Sequence, residues 1–135
     1  ARSPVGARGL MQLMPTTAKR MRKSVSVAQL SNPKVNIELG TKYFEGLMKR
    51  YDNNLVHVLS AYNAGETRVE RWKKQYFDED ETIVRNIETI PFKETRTYVK
   101  LIFRNLFFYK LLASEELVDN PENNKIFNVT LGYKH

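Results

Sequence analysis

Residues 36–51 read NIELGTKYFEGLMKRY, and the spacing of their apolar side chains decides the class of fold. Apolar or small residues recur at steps of three and four, which places them on one face of an α-helix. Asn36 is a residue type that caps helices, and it is expected to start this one. The predicted face consists of Ile37, Gly40, Phe44, Leu47, Met48 and Tyr51.

Further helices are predicted on both sides of this segment. Pro-Thr-Thr-Ala at residues 15–18 is typical of a helix start, with Thr as the cap and Pro in the first turn. The other predicted helices run from Leu55 to a left-handed cap at Gly65, from Glu66 to Gln75, and from Lys93 to Ala113. The predicted apolar face of the last helix consists of Tyr98, Leu101, Ile102, Leu106, Phe108 and Leu112. Alternating strand patterns are missing elsewhere, so the expected fold class is all-α.

Composition excludes several classes of protein. The chain has 135 residues, of which 41% are hydrophobic, and this suits one domain with a real core. Because cysteine is absent, a disulfide scaffold, a Cys-type zinc site and a thiol nucleophile are excluded. His57 and His135 are too far apart in the sequence to suggest a metal site, so neither a metal nor a cofactor is expected. No apolar run is long enough to predict a transmembrane segment.

The chain is strongly basic. Lys and Arg number 22 against 15 acidic residues, giving a net charge of +7. Such a charge favours polyanionic partners, which include nucleic acid, anionic lipid surfaces and an acidic wall polymer. Charge alone does not choose among them, and no nucleic-acid recognition motif is present.

Three short segments carry residue types suited to sugar chemistry. In Gly-Leu-Met-Gln-Leu-Met-Pro at residues 9–15, the Gln12 amide can donate and accept hydrogen bonds, as an N-acetyl group requires. In Ala-Tyr-Asn-Ala-Gly at residues 61–65, the Tyr62 ring can cover an apolar sugar face, although a core tyrosine beside a capping turn fits equally well. In the segment at residues 90–99, Glu94 lies in the first turn of the long helix, where the helix dipole alone would favour a carboxylate.

Together these segments resemble the catalytic domain of the soluble lytic transglycosylases, relatives of goose-type lysozyme. That family carries Ser-Pro-Val-Gly-Ala-x-Gly-Leu-Met-Gln-x-Met-Pro, then Asn-Ile-x-x-Gly-x-x-Tyr, Ala-Tyr-Asn-Ala-Gly and Ile-Pro-Phe-x-Glu-Thr-Arg-x-Tyr-Val. The corresponding residues here are 3–15, 36–43, 61–65 and 90–99. The likeness runs from Ala1 to about Tyr109.

The resemblance implies a lysozyme-like helical domain with a substrate cleft, and peptidoglycan as the substrate. Enzymes of this family cut the bond between N-acetylmuramic acid and N-acetylglucosamine without water. One glutamic acid protonates the leaving oxygen and then acts as base while the muramic acid's C6 hydroxyl attacks, leaving a 1,6-anhydro product. Two-carboxylate glycosidases work differently, because there a second protein group activates water or attacks the sugar.

The family's catalytic glutamate stands in a Glu-Ser motif shortly before the segment that begins at Ser3. No Glu occurs here before Glu38, and no Glu-Ser pair occurs anywhere. The general acid is therefore expected before Ala1, and the domain is expected to be N-terminally incomplete. The substrate-binding residues that the resemblance implies are Ser3, Gln12, Met14, Tyr62, Asn63 and Glu94.

These expectations define a partial catalytic domain at residues 1–113 and a C-terminal tail at residues 114–135. The expected partners are peptidoglycan glycan strands and other domains of a longer chain, not nucleic acid. The expected location is the bacterial periplasm or cell envelope. Two alternatives stay open: a catalytically inactive muropeptide-binding module, and a lysozyme-type hydrolase on the same scaffold.

Overall fold

The structure is a computed structural model that describes residues 2–116, with side chains as far as Ala113. The chain divides into two compact units. The first comprises Ala1–Lys49, and the second begins at Arg50. Within the described residues the only pairing of extended backbone is two isolated bridges, Arg2 with Arg8 and Arg8 with Leu13, which confirms the all-α class. The helices are α1 (Pro15–Met21), a 3₁₀ turn (Gln29–Ser31), α2 (Pro33–Arg50), α3 (Leu55–Ala64), α4 (Glu66–Gln75), α5 (Ile83–Glu88) and α6 (Lys93–Glu116).

Helix α1 begins at Pro15, as predicted, but threonine does not cap it. The N-cap is Met14, whose side chain makes no capping hydrogen bond. Proline has no N–H to satisfy and its φ suits the first helical position, so the helix starts at Pro15 and both threonines fall inside it. Lys19 and Arg20 lie in the last turn, where a cation interacts favourably with the helix dipole.

Helix α2 begins at Pro33, so the prediction that Asn36 caps it is wrong. Asn32 takes the capping role, because its Oδ1 accepts hydrogen bonds from the backbone N–H groups of Lys34 and Val35 at 3.0 and 3.3 Å. The buried side of the helix also differs from the predicted one, since Ile37 is 47% exposed. The buried residues of α2 are Asn36, Leu39, Gly40, Tyr43 and Leu47.

Helix α3 is the central helix of the second unit and packs against α4, α5 and α6. Every residue from Leu55 to Ala61 is buried, as expected of a helix that other elements surround. Asn54 caps its start by accepting a hydrogen bond from the His57 backbone N–H at 3.2 Å. Gly65 has the predicted positive φ of 93°, but its ψ of 147° is extended, so the predicted left-handed helical cap is wrong.

The remaining helices complete the core around α3. Helix α5 follows the acidic run at residues 78–81, and Thr82 caps it by accepting from the Arg85 backbone N–H at 3.2 Å. Helix α6 begins at Lys93 as predicted and extends three residues beyond Ala113. Its buried side carries Thr95 and Val99, whereas the predicted face includes Leu101, Phe108 and Leu112, which are exposed. Residues 117–135, which hold most of the predicted tail, lie outside the described residues.

Candidate active site

The first predicted sugar-binding segment is a closed loop before α1. Two backbone hydrogen bonds close it: the Arg8 N–H donates to the Leu13 carbonyl at 3.0 Å, and the Leu13 N–H donates back at 2.9 Å. Gln12 occupies the sharp part of the turn with a φ of 48°, a conformation that few non-glycine residues adopt. The backbone therefore fixes the direction in which this segment presents its side chains.

A single buried amide, that of Asn36, holds this loop to α2. Its Oδ1 accepts from the Met11 N–H at 2.7 Å. Its Nδ2 donates to the Arg8 carbonyl at 2.9 Å and to the Leu30 carbonyl at 3.0 Å. Because Asn36 is completely buried, these bonds satisfy groups that water cannot reach. Sequence reasoning missed this role by treating Asn36 as a helix cap.

Two glycines make the close approach between the loop and α2 feasible. A Cβ at Gly9, where φ is +73°, would collide with the Asn36 side-chain amide. A Cβ at Gly40 would lie 2.6 Å from the Met11 Cβ, which is closer than real side chains come. Asn36 and Gly40 are four residues apart and share one face of α2. An asparagine and a glycine at that spacing were the sequence signal for this contact.

The predicted site residues of the first unit differ in whether their side-chain polar groups are free to bind a ligand. The Ser3 Oγ accepts from the Ala7 N–H at 2.9 Å, so it stabilises its own turn. The Gln12 Nε2 donates to the Gly9 carbonyl at 2.7 Å, while its Oε1 has no partner among the described residues. Gln12 is exposed, and Met14 is 38% exposed at the start of α1. Gln12 thus offers an oriented acceptor, with an apolar side chain two residues further along the loop.

The predicted site residues of the second unit lie at the end of α3 and the start of α6. Asn63 is exposed, and its Oδ1 accepts from the Thr95 hydroxyl at 2.7 Å. Thr95 is only 2% exposed and directly follows Glu94. Its bond to Asn63 therefore holds the end of α3 against the first turn of α6, where Glu94 lies. Glu94 is exposed in the first turn of α6, and Tyr62 is half-buried in the last turn of α3.

The rest of the segment 90–99 stabilises the start of α6. The Arg96 guanidinium donates to the Ile90 carbonyl at 2.9 Å and to the Glu88 carbonyl at 3.4 Å, joining the end of α5 to α6. The Phe92 ring meets Trp72 of α4 edge-on, with ring centroids 5.2 Å apart. Arg96 and Phe92 are therefore structural, and Glu94 is the exposed acidic residue of this segment.

The described residues were also compared with the requirements of a metal site, a membrane span and a carboxylate pair. Among them, no group of three or more His, Asp or Glu side chains is arranged to hold a metal ion. None of the described helices is both long and apolar enough to cross a membrane. Of the six predicted site residues, Glu94 alone carries a carboxyl group, so the predicted set holds no carboxylate pair of the kind that most glycosidases use.

Comparison with known proteins places this combination of segments in a family. The model of the Transglycosylase SLT domain matches residues 1–84, which include the loop before α1, helix α2 and the Ala-Tyr-Asn-Ala-Gly segment. This chain belongs to the transglycosylase SLT family. Relatives in that family confirm the resemblance: the soluble lytic murein transglycosylase of Escherichia coli K12 is 36% identical over 121 residues, covering 85% of this chain. The Salmonella typhimurium enzyme is 38% identical over 115 residues, covering 81%.

Two solved structures of lytic transglycosylases share the helical fold. One is Slt from Pseudomonas aeruginosa, solved as an inactive mutant in which a glutamate is replaced by glutamine. It covers 90% of the present chain with a TM-score of 0.72 and 40% sequence identity. The 70 kDa enzyme SLT70 of Escherichia coli matches 74% with a TM-score of 0.66 and 40% identity. The chain spans about a fifth of the length of these relatives, covering 19% of the E. coli K12 enzyme.

Proposed function

We propose that this chain is part of a peptidoglycan lytic transglycosylase that cleaves the β-1,4 bond between N-acetylmuramic acid and N-acetylglucosamine. The products are 1,6-anhydro-muropeptides, because the muramic acid's own C6 hydroxyl replaces water as the nucleophile. In this proposal residues 1–113 form part of the catalytic domain and residues 114–135 form a tail. The enzyme works in the bacterial periplasm or cell envelope.

One observation supports this proposal most directly, namely the fixed Gln12 amide. The loop closure, the Asn36 amide and the bond to the Gly9 carbonyl hold Gln12 in one orientation. Its unused Oε1 can accept from the N–H of an N-acetyl group, which is the recognition that an amino sugar demands. Since side chains that are already ordered lose little entropy on binding, such an acceptor improves both affinity and orientation.

The other predicted site residues take the roles that the family resemblance implies for them. Met14 contributes an apolar wall, and the Tyr62 ring contacts the reacting sugars. Asn63 holds the turn through Thr95, beside Glu94, which binds or orients the substrate. Ser3 orders its own turn near the general acid.

The general acid in this proposal is a glutamate outside residues 1–135. The family's Glu-Ser motif precedes the segment that begins at Ser3, and that pair does not occur in these residues. The inactive Pseudomonas aeruginosa variant, in which a glutamate becomes glutamine, supports the assignment of the chemistry to a glutamate. A carboxyl that protonates the leaving oxygen must keep its proton near neutral pH, which an apolar and desolvated pocket provides.

The test is digestion of purified sacculi, with the released products read by mass spectrometry. The 135-residue chain is expected to release nothing, and a longer chain that includes the Glu-Ser motif is expected to release 1,6-anhydro-muropeptides. Replacing that motif's Glu by Gln in the longer chain gives the matched control and should abolish release.

Each other outcome identifies an alternative. Reducing-end muramic acid in place of the anhydro product would identify a lysozyme-type hydrolase. Binding to sacculi without any release by the longer chain would identify a muropeptide-binding module. Anhydro products from the 135-residue chain would place the acid within it, and Glu94→Gln would then be the variant to test.

A further inference from the structure

Helix α6 carries a second set of apolar side chains on the side that faces solvent. The helix packs against α3 and α5, and its buried side runs from Thr95 and Val99 to the half-buried Ile102 and Leu106. Four other large apolar side chains in the same part of the helix are between 47% and 62% exposed. Together they form the outer stripe, which consists of Phe107, Phe108, Leu111 and Leu112.

Helix geometry places the outer stripe on one face together with the exposed Arg104. The members of the stripe follow Arg104 at steps of three, four, seven and eight residues, which is the spacing of a single helix face. At about 100° per residue, the four apolar side chains cover an arc of about 140°. The solvent side of a surface helix is normally polar. An apolar arc there, on a helix whose other side is already buried, indicates a binding surface.

The charge around the outer stripe is of one sign. Between residues 95 and 114 the sequence holds four basic residues and no acidic one. Arg96 and Lys100 are engaged, the first with backbone carbonyls and the second with a carboxylate of α5. Arg104 and Lys110 form no ion pair with another described residue. The apolar surface is therefore accompanied by two cations that are available to an anionic partner.

This combination of groups determines what kind of surface is complementary. A second copy of the stripe would bring Arg104 and Lys110 against the same cations, with no carboxylate in this part of the helix to pair with them. A purely apolar partner would desolvate the guanidinium without giving it a counter-charge. An anionic phospholipid surface meets both requirements, because its phosphates lie directly above its acyl chains.

We propose that the outer stripe of α6 docks on an anionic phospholipid surface. Its four apolar side chains enter the boundary of the acyl chains, and the Arg104 guanidinium pairs with headgroup phosphates, for which its planar fork is well shaped. The long side chain of Lys110 reaches the headgroups from the edge of the stripe. Tyr109 is 66% exposed beside the stripe, and its amphipathic ring suits the same boundary. The helix lies along the surface, since both cations stay among the headgroups.

This contact is separate from the predicted glycan site. Glu94 lies in the first turn of α6, and the outer stripe follows it by 13 to 18 residues, which corresponds to roughly 20–27 Å along the helix axis. Lipid contact at the stripe therefore leaves Glu94 available to substrate. The proposal does not depend on glycan cleavage, so either can fail without the other.

The test is sedimentation of the full-length protein with vesicles of equal parts phosphatidylglycerol and phosphatidylcholine, and with vesicles of phosphatidylcholine alone. The double variant Phe107→Gln, Phe108→Gln removes two rings of the stripe. The matched control is Ile83→Gln, Val84→Gln, which changes two adjacent apolar residues on α5 that are 40% and 68% exposed. Neither variant alters the net charge, so any attraction through the basic first unit is the same in all three proteins.

Binding to the anionic vesicles is expected to weaken about tenfold or more in the α6 variant and to stay unchanged in the α5 variant. Binding to phosphatidylcholine alone should be weaker than binding to the anionic vesicles. A tryptophan introduced by Phe108→Trp reports insertion directly. Brominated lipids should quench its fluorescence beyond the quenching of the unsubstituted protein, and Val84→Trp should show no such excess. Circular dichroism of each variant shows that folded proteins are compared.

Several outcomes would overturn the proposal. One is that the full-length protein does not bind anionic vesicles, and another is that the Phe107, Phe108 variant binds them as well as the unsubstituted protein does. Absence of excess quenching in Phe108→Trp would show adhesion by charge alone. Equal binding to both kinds of vesicle would remove the role of Arg104. Self-association that the α6 variant abolishes, without binding to vesicles, would assign the stripe to a second copy.

Discussion

The two units of this chain are stabilised in different ways. In the first unit, the loop that carries Gln12 is irregular and is fixed by the three hydrogen bonds of Asn36. In the second unit, α3 is buried along its length and apolar packing surrounds it. The directional bonds of an amide determine where a side chain points, whereas burial is non-directional and supplies most of the stability. The positioning of site residues and the stability of the fold thus depend on different residues.

The units also differ in charge. Residues 1–49 hold nine Lys and Arg against two acidic residues, while residues 50–135 hold thirteen of each. The entire net charge of +7 therefore belongs to the first unit. Whatever anionic polymer the chain meets, its long-range attraction acts on the unit that carries Gln12 and Met14.

The largest expected effect is on the core of the second unit. Leu59→Ala removes a side chain that is 3% exposed, and it should lower the free energy of unfolding by about 2–5 kcal/mol. Leu101→Ala on α6 is the control, because Leu101 is 41% exposed and its loss should cost well under half as much. Urea unfolding followed by circular dichroism measures both. Equal losses would mean that burial does not distinguish the two sites.

The next effect concerns the amide that orders the first unit. Asn36→Ala leaves two carbonyls and one N–H without their partner, and it should lower the free energy of unfolding by about 3 kcal/mol. It should also release the loop, so that amide hydrogen exchange at Met11 becomes much faster.

Asn32→Ala is the matched control for Asn36→Ala. It removes the exposed cap of the same helix and should cost only about 1 kcal/mol, without changing exchange at Met11. If both variants leave exchange at Met11 unchanged, the loop does not depend on the Asn36 amide.

The third prediction uses the buried histidine of the second unit. The pKa of His57 is lowered from 6.5 to about 4, so the unfolded chain binds a proton there that the folded chain does not. Stability from this group is fully present above about pH 6.5 and is lost as the pH falls toward 4. The expected loss is about 2–3 kcal/mol. Lys73 opposes protonation and Glu70 favours it more weakly.

Urea unfolding between pH 4 and 7 tests this prediction with His57→Phe as the reference. The phenyl ring can occupy the place beside Tyr51 and Phe77 but does not titrate. The difference between the two stability curves isolates the histidine, because the surface carboxylates titrate in both proteins. A His57 signal that titrates near pH 6.5 in the NMR spectrum of the folded protein would contradict the prediction.

The sequence was sufficient for the fold class and for most of the helices. The starts of α1 and α4 follow from a proline and from a preceding glycine, which are local signals. The buried faces of α2 and α6 were partly misassigned, since Ile37 and Leu101 are exposed. Periodicity identifies an apolar stripe, but which edge of it is covered depends on the neighbouring elements.

The site segments were recognisable from the sequence, but the contacts that shape them were not. Asn36 bonds to residues 25 and 28 positions away, and Asn63 bonds to Thr95 at a separation of 32. A single sequence does not show which distant residues such bonds join. The glycines came closest, because Gly9 and Gly40 stand where a side chain would prevent the loop and the helix from meeting.

The smallest expected effect separates the two units by charge. If attraction to an anionic wall acts through the first unit, Lys19→Gln with Lys23→Gln should weaken retention of the protein on sacculi a few-fold. Lys74→Gln with Lys93→Gln in the second unit removes the same charge from positions that are also exposed, and it should weaken retention less. Raising the ionic strength should shrink the difference between the pairs, since exposed charges are screened over about 10 Å at 0.1 M salt. Equal loss from both pairs would mean that only total charge matters, and the contrast between the units would then be limited to how each is stabilised.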